Sequence, residues 1–306
     1  MENKKKLWLT LVPGIFVFLW STGFIGAKFG LPYAGPYTFL FLRMAVTLVL
    51  LGVIIPITHS DWPSDKKSIF HLAISGTLVH GAFLGGVFSA IKAGMPAGIS
   101  AMIVGLQPIV TMILTVVLTK VSFSRRQVSG VILGFIGIFG VLLGGKLTTE
   151  VDLISGINLL TVSYAVMALF GISCGTIYQK KYCEHTPLLT GAFIQYTATA
   201  IIMGGLAYRL ETMEFVLAHE FIFALLWLVV GLSISAILLL LFMIKEGEVA
   251  RVASLFYLVP PLTAIESYVF FDERLSIISL IGIALSVFGV YLVLAVPKGK
   301  GKNALT

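Results

Sequence analysis

Ten stretches of about twenty mostly apolar residues follow one another along the chain, near 7–27, 37–57, 69–91, 95–118, 128–145, 156–179, 187–208, 220–244, 248–271 and 277–296. A helix rises about 1.5 Å per residue, so roughly 20 residues are needed to cross the hydrocarbon core of a bilayer. Lipid offers backbone N–H and C=O groups no partner, so each stretch must satisfy them within a helix. The expectation is an all-α integral membrane protein with ten transmembrane helices. A spanning barrel would instead show alternating segments of about ten residues. No connection is much longer than ten residues, which leaves no room for an extramembrane domain. Whatever the chain does is expected to happen among its helices.

Composition points the same way. The chain is 58% hydrophobic and 11% charged, where soluble domains carry about 25% charged residues. A net charge of +7 suits nucleic acid only if the basic residues cluster on a soluble face. Here they sit in short gaps between apolar runs, so nucleic acid is not an expected partner. Cys174 and Cys183 lie in or beside one apolar segment and define neither a disulfide framework nor a metal site. There is no HExxH and no pair of acidic metal ligands, so no metal and no cofactor are expected. The start MENKKK resembles that of a signal peptide, but LWLTLVPGIFVFLW exceeds an h-region and lacks a small-x-small cleavage site. It is read as an uncleaved first span.

Orientation follows from Lys and Arg, which favour cytoplasmic loops. With the N-terminus cytoplasmic, that side holds 15 basic residues and the opposite side holds five, Lys28, Lys92, Lys146, Arg209 and Arg274. Both termini are therefore expected in the cytoplasm, with 297–306 a basic tail. Arg43 is the basic residue left inside a span.

Shifting the chain by 152 residues pairs Gly23 with Gly175, Lys28 with Lys180, Phe41 with Phe193, Gly52 with Gly204, Leu106 with Leu258, Pro108 with Pro260, Gly130 with Gly282 and Gly137 with Gly289, without a gap. The spans keep register at the same shift. Each half, 7–145 and 156–296, then holds five spans. Five is odd, so the second half enters the membrane from the opposite side and the repeats are inverted. Two similar halves of opposite orientation can exchange conformations around a site near the midplane, which is the geometry of alternating access.

Within FYLVPPLTAIESY, residues 256–268, two prolines and a carboxylate interrupt an apolar span. Pro108, Pro260 and Pro261 each lack a backbone donor and displace the carbonyl four residues earlier, those of Val104, Phe256 and Tyr257. Such carbonyls are costly in lipid, so they are expected to face protein or a wet cavity. A plain kink is the alternative for a single proline. Cavity lining is favoured for the repeat-related pair, with Gln107 adjacent.

A charge at the bilayer centre costs about 2.5 to 3.5 kcal/mol on insertion scales. Arg43 lies seven residues past Pro36, and Glu266 lies six before Asp272. At about 1.5 Å per residue both sit roughly 9 to 10 Å below the same surface. They are expected to pair, or to face a common cavity; otherwise Arg43 snorkels alone and Glu266 is protonated against a neighbouring helix. His80, halfway along the third span, offers a proton-coupling group or a helix-to-helix hydrogen bond. Gln195 is the repeat partner of Arg43. Trp20, Tyr164 and Tyr257 lie well inside spans, where they shape a substrate site or pack the core. Together with Gln107 these residues form the expected substrate and translocation set.

Gly130, Gly134, Gly137, Gly140 and Gly144 line one side of the fifth span, and Gly282 and Gly289 echo two of them in the tenth. Small faces of this kind let helices approach closely. They are read as scaffold that also offers a homodimer contact. GISCG, 171–175, matches a nucleophile elbow in letters only, because Ser173 falls in a helical run and not on a strand-turn-helix. GVLLGGKLT, 140–148, approaches a phosphate loop, but Leu147 stands where the magnesium-binding Ser/Thr belongs.

FVFLWSTGFIGAKFG (16–30), YTFLFLRM (37–44), AGISAMIVGLQPIVTMIL (97–114) and GEVARVASLFYLVPPLTAIESYVFFDERLS (247–276) together resemble the EamA branch of the drug/metabolite transporter superfamily, over nearly the whole chain. The resemblance implies ten helices in two inverted EamA repeats, a bacterial inner membrane, and a central cavity lined mainly by the first four helices of each half. Members mostly export metabolites, amino acids or toxic compounds, and some relatives import or exchange. Glu273 fits the family's acidic position after the ninth helix. The first half has Lys120 and Val121 where Gly-Glu often stands.

Two functions remain. One is secondary transport of small amphiphilic or zwitterionic metabolites, driven by a proton or substrate gradient, with the small molecule and the bilayer as partners. The other is a membrane-embedded enzyme or assembly factor acting on lipid. An enzyme would need a nucleophile with its base, or a metal cluster, and the chain offers only the rejected elbow.

Overall fold

The computed structural model describes residues 2–119, 124–147, 156–184, 186–236, 239, 258–273 and 275–294. Tyr257, the carbonyl of Phe256, Lys120, Val121 and the tail 297–306 lie outside them. Among the described residues the fold is all helix, with one isolated antiparallel bridge between Ala34 and Phe215.

The helices are α1 (Glu2–Gly30), α2 (Pro36–Thr58), α3 (Lys66–Gly76), α4 (Phe83–Lys92), α5 (Ala97–Val104), α6 (Gln107–Thr119), α7 (Arg125–Leu147), α8 (Leu159–Tyr182), α9 (Leu188–Leu210), α10 (His219–Leu226), α11 (Val259–Phe271) and α12 (Ile277–Leu294). A π-helical stretch, Thr77–Ala82, joins α3 to α4, and a second, Trp227–Ala236, continues α10. Seven helical runs among the described residues are long and apolar enough to cross a membrane: Gly14–Tyr33, Pro36–Thr58, Lys66–Lys92, Ala97–Leu114, Leu159–Tyr182, Leu188–Leu210 and His219–Ala236. The outer faces stay apolar, as lipid contact requires; Ile57 is 72% exposed and Ile201 71%.

Local chemistry sets the boundaries. Asn158 caps α8 by accepting from the Thr161 amide at 3.0 Å, while the Thr161 hydroxyl accepts from the Asn158 amide at 3.1 Å. Asp65 caps α3 by accepting from the Ser68 amide at 2.5 Å. Helices α2 and α11 end on His59 and Asp272, both in the left-handed region at φ 48° and 52°. Pro108 and Pro260 each stand second in a helix, α6 and α11, where the missing N–H is unneeded. The fourth span therefore divides at Gly105–Leu106. A methyl on Gly105 would stand 2.6 Å from Pro260 Cγ, so the two interrupted segments cross in direct contact. Pro260 is buried against protein, whereas Gln107, Pro108 and Pro261 are half-buried.

Packing pairs particular helices. Helix α7 lies along α12, α2 along α9, α4 along α8, and α1 against α11. Glycines set the first of these. A Cβ on Gly137 would meet Gly282 O at 2.5 Å, and one on Gly289 would meet Gly134 N at 2.5 Å. The two small faces close on each other inside one chain at Gly134, Gly137, Gly282 and Gly289. Gly76 plays the same part between α3 and α9, where a Cβ would reach Gln195 O at 2.5 Å.

One end of the bundle is closely tied. Glu211, at the end of α9, accepts from the Tyr37 amide (2.9 Å), the Thr38 amide (2.8 Å) and the Thr38 hydroxyl (2.6 Å), capping α2. Lys92 Nζ donates to Leu31 O at 2.6 Å. Glu273 pairs with Lys28 and accepts from the Ala97 amide at 3.4 Å at the start of α5. Lys28 Nζ also lies 4.4 Å from the centre of the Phe271 ring.

Candidate functional site

The two π-helical stretches and the pair α2–α9 bring polar groups to one place inside the bundle. Arg43, on α2, is 5% exposed, and its Nε donates to Ser233 Oγ at 3.3 Å across to the second π-helical stretch. Tyr196, on α9, is 2% exposed, with its hydroxyl near Ser233 and Arg43. The Tyr196 ring packs on the His80 imidazole with centroids 4.6 Å apart. His80, on the first π-helical stretch, is half-buried beside the Gln195 side chain and within electrostatic reach of Arg43. A π-helical turn widens the helix and turns side chains out of regular register, which makes such turns common at functional sites. Arg43, His80 and Gln195, far apart in sequence, are thus gathered together. Tyr196 and Ser233 complete the cluster; neither shows a periodic signal in an apolar run. Ser233 does lie 152 residues after Gly81, within the counterpart of the stretch that carries His80.

Glu266 stands apart from this cluster. Its Oε1 accepts from Ser21 Oγ at 2.7 Å, and its Oε2 is buried without a hydrogen-bond partner. Thr263, one turn earlier on α11, directs its hydroxyl to Ser21 O at 3.4 Å. Arg43 and Glu266 therefore make no ion pair; each takes a serine on a different helix. Their depths agree, but depth leaves the direction around the bundle open.

The remaining residues lie elsewhere. Trp20 packs on Phe16 at 5.5 Å between ring centres. Gln107 Nε2 donates to Thr176 Oγ1 on α8 at 3.1 Å. Tyr164 is half-buried, and its carbonyl faces Gly86 across the α4–α8 contact. Ser173 is fully buried in the middle of α8 with an unpartnered hydroxyl, as a helical residue and not an elbow. Pro261, Tyr268 and Glu273 line a groove of about 670 Å³ between α11 and α12. A second groove of similar volume runs between α1 and α10, with Leu19 and Trp227 on its walls. Trp227 Nε1 donates to Thr22 Oγ1 at 2.9 Å, which holds α1 to the second π-helical stretch. Thr22 thus ties α1 to one side while its neighbour Ser21 reaches Glu266 on the other.

Comparison with known proteins places this geometry in a family. A crystal structure of another protein, 17% identical, shares the fold with a TM-score of 0.61, covering 92% of this chain and 95% of the other. A Salmonella typhimurium protein named "Probable amino-acid metabolite efflux pump" is 27% identical over 288 residues, spanning 91% of this chain and 92% of its own. An Escherichia coli protein of the same name is 26% identical over 293 residues, with 91% and 92% covered. An uncharacterized transporter of Bacillus subtilis is 24% identical over 296 residues, with 96% and 93% covered. The model of the EamA-like transporter family matches residues 8–143 and again 159–295. With nearly the whole chain matched, and with its apolar helices long enough to span a bilayer, this membrane protein belongs to the EamA-like transporter family.

Proposed function

We propose that the chain is a secondary active transporter with ten transmembrane helices in two inverted repeats, 7–145 and 156–296, that moves small zwitterionic or amphiphilic metabolites by alternating access. Export of amino acids or related compounds is the favoured direction and cargo, in keeping with the names of the Salmonella and Escherichia coli relatives. The chain acts by moving its cargo unchanged, not as an enzyme.

One observation carries this reading: elements 152 residues apart lie against each other. Helix α2 packs on α9, α7 packs on α12, and the two π-helical stretches, offset by the same number, both supply side chains to the Arg43 cluster. Contact between counterparts is what a pseudo-twofold axis through the middle of the bundle requires, and alternating access exchanges two such halves about that axis. The ends also agree. Glu211 with α2, Lys92 with Leu31, and Glu273 with Lys28 and Ala97 all join segments that ten alternating spans would leave on one side. The excess of Lys and Arg on the other side favours a bacterial inner membrane with both termini cytoplasmic. In this arrangement the tied end is the periplasmic one, and Trp20, Arg43, His80, Gln107, Tyr164, Gln195, Tyr257 and Glu266 border the translocation path, with helix interruptions at Pro108, Pro260 and Pro261.

The test is flux in proteoliposomes loaded with a panel of radiolabelled amino acids. Unaltered amino acid leaving down a gradient, faster than from empty liposomes, supports the reading. No flux for any member, or a chemically changed product, rejects it.

A further inference from the structure

The Arg43 guanidinium is buried, yet Ser233 Oγ is its one hydrogen-bond partner among the described residues. A guanidinium carries five N–H donors in a rigid planar fork, so most of its donor capacity is unused among the described residues. The polar groups found beside it are Tyr196, Ser233, His80 and Gln195, none of them a carboxylate. No carboxylate among the described residues lies within ion-pair distance. Glu266 is engaged by Ser21, Glu273 by Lys28, and Glu211 by the start of α2. A permanently charged group kept inside an apolar bundle, with no counter-ion among the described residues, is a fitting place for a bound anion.

Resting on the transport reading above, we infer that Arg43, Tyr196 and Ser233, with His80 and Gln195 beside them, form the subsite that takes the carboxylate of the transported molecule. The two terminal nitrogens of the fork match the two oxygens of a carboxylate. One fixed positive charge neutralises one negative charge, so a singly charged carboxylate fits better than a doubly charged phosphate. Tyr196 sits at a point where its hydroxyl and Ser233 serve both protein and ligand. All five residues come from α2, α9 and the two π-helical stretches, so any change in how the two halves meet alters the shape of the subsite. Loading the site and switching the halves are thereby coupled through the same contacts.

The experiment measures binding without any gradient. Thermal unfolding of the purified full chain in detergent is followed by tryptophan fluorescence, with L-norvaline, L-threonine and L-phenylalanine as probes. Each is compared with its methyl ester and with its decarboxylated amine. At least one acid should raise the melting temperature while its ester and amine do not. Arg43→Gln should weaken the apparent affinity at least tenfold, Arg43→Lys less so, and Tyr196→Phe and Ser233→Ala by several-fold each. The inference is overturned if esters or amines stabilise as well as acids, if Arg43→Gln keeps the acid's affinity, or if no acid stabilises the wild type. Should Arg43→Gln fail to fold, Tyr196→Phe and Ser233→Ala decide, and full affinity in both overturns it. Flux with an Arg43-independent site removes the subsite and leaves the transport reading standing; acid binding without flux does the reverse.

Discussion

Ser286 donates its hydroxyl to the carbonyl oxygen of Gly134 at 3.3 Å, and the two residues are 152 positions apart. That offset is the one that aligns the halves of the chain. In the two-repeat arrangement proposed above, the contact joins a position to its own counterpart, where the two halves turn about each other. The neighbouring glycines let the backbones come this close.

The α7–α12 contact leaves no space for a larger residue. Gly137→Leu should destabilise the fold by about 1 to 3 kcal/mol, because the side chain would have to displace Gly282 and Ser286. Gly52→Leu, with nothing within 4 Å of the added carbon, should leave the melting temperature unchanged. Thermal unfolding in detergent compares the two, and equal behaviour would refute this account of the contact.

Glu211 holds the first turn of α2 from another helix. Glu211→Ala removes the acceptor of two backbone amides and one hydroxyl and should cost about 1 to 2 kcal/mol. Hydrogen exchange at Tyr37 and Thr38 should rise selectively. Unchanged protection there would show that the cap contributes little.

The Lys28–Glu273 pair ties α1 to the turn before α12 and to the start of α5. Breaking it should shift the population toward states open at that end. A cysteine introduced at Ala97 is expected to react faster with a membrane-impermeant maleimide in Lys28→Glu than in wild type, and the swap Lys28→Glu with Glu273→Lys should restore the slow rate. Equal rates in all three would remove the latch.

Asp65 is held below the ordinary carboxylate range, chiefly because the Ser68 amide and then its hydroxyl donate to it. A carboxylate with a lowered folded-state value adds stability above its unfolded value of about 3.9 and loses it as pH falls through the folded value. Amide protection over residues 66–69, corrected for intrinsic exchange, should therefore decline on acidification below about pH 4. Asp65→Asn should show weaker protection at neutral pH and a flat profile. A wild-type profile just as flat would contradict the cap.

How much was legible in the chain differs from residue to residue. Arg43, His80 and Gln195 stand out because polar groups in apolar runs are costly, and cost is visible in one dimension. Tyr196 and Ser233 carry no such signal, since aromatic and hydroxyl residues are tolerated throughout membrane helices. The glycines of α7 and α12 announce a close approach without saying to what; their partner is each other. Arg43 and Glu266 share a depth, but a depth along two helices says nothing about which way each side chain points. The fold sends one to Ser233 and the other to Ser21.

By itself the amino-acid order determined that this protein lives in a bilayer, roughly where its helices run, and the 152-residue echo between its halves. Those properties follow from hydropathy and spacing, which add up locally along the chain. Only the tertiary structure decided that α2 meets α9 and that two π-helical turns deliver His80 and Ser233 to the same guanidinium. Such neighbours depend on helix azimuth and crossing, which are set by packing many side chains at once and leave no mark on any single stretch.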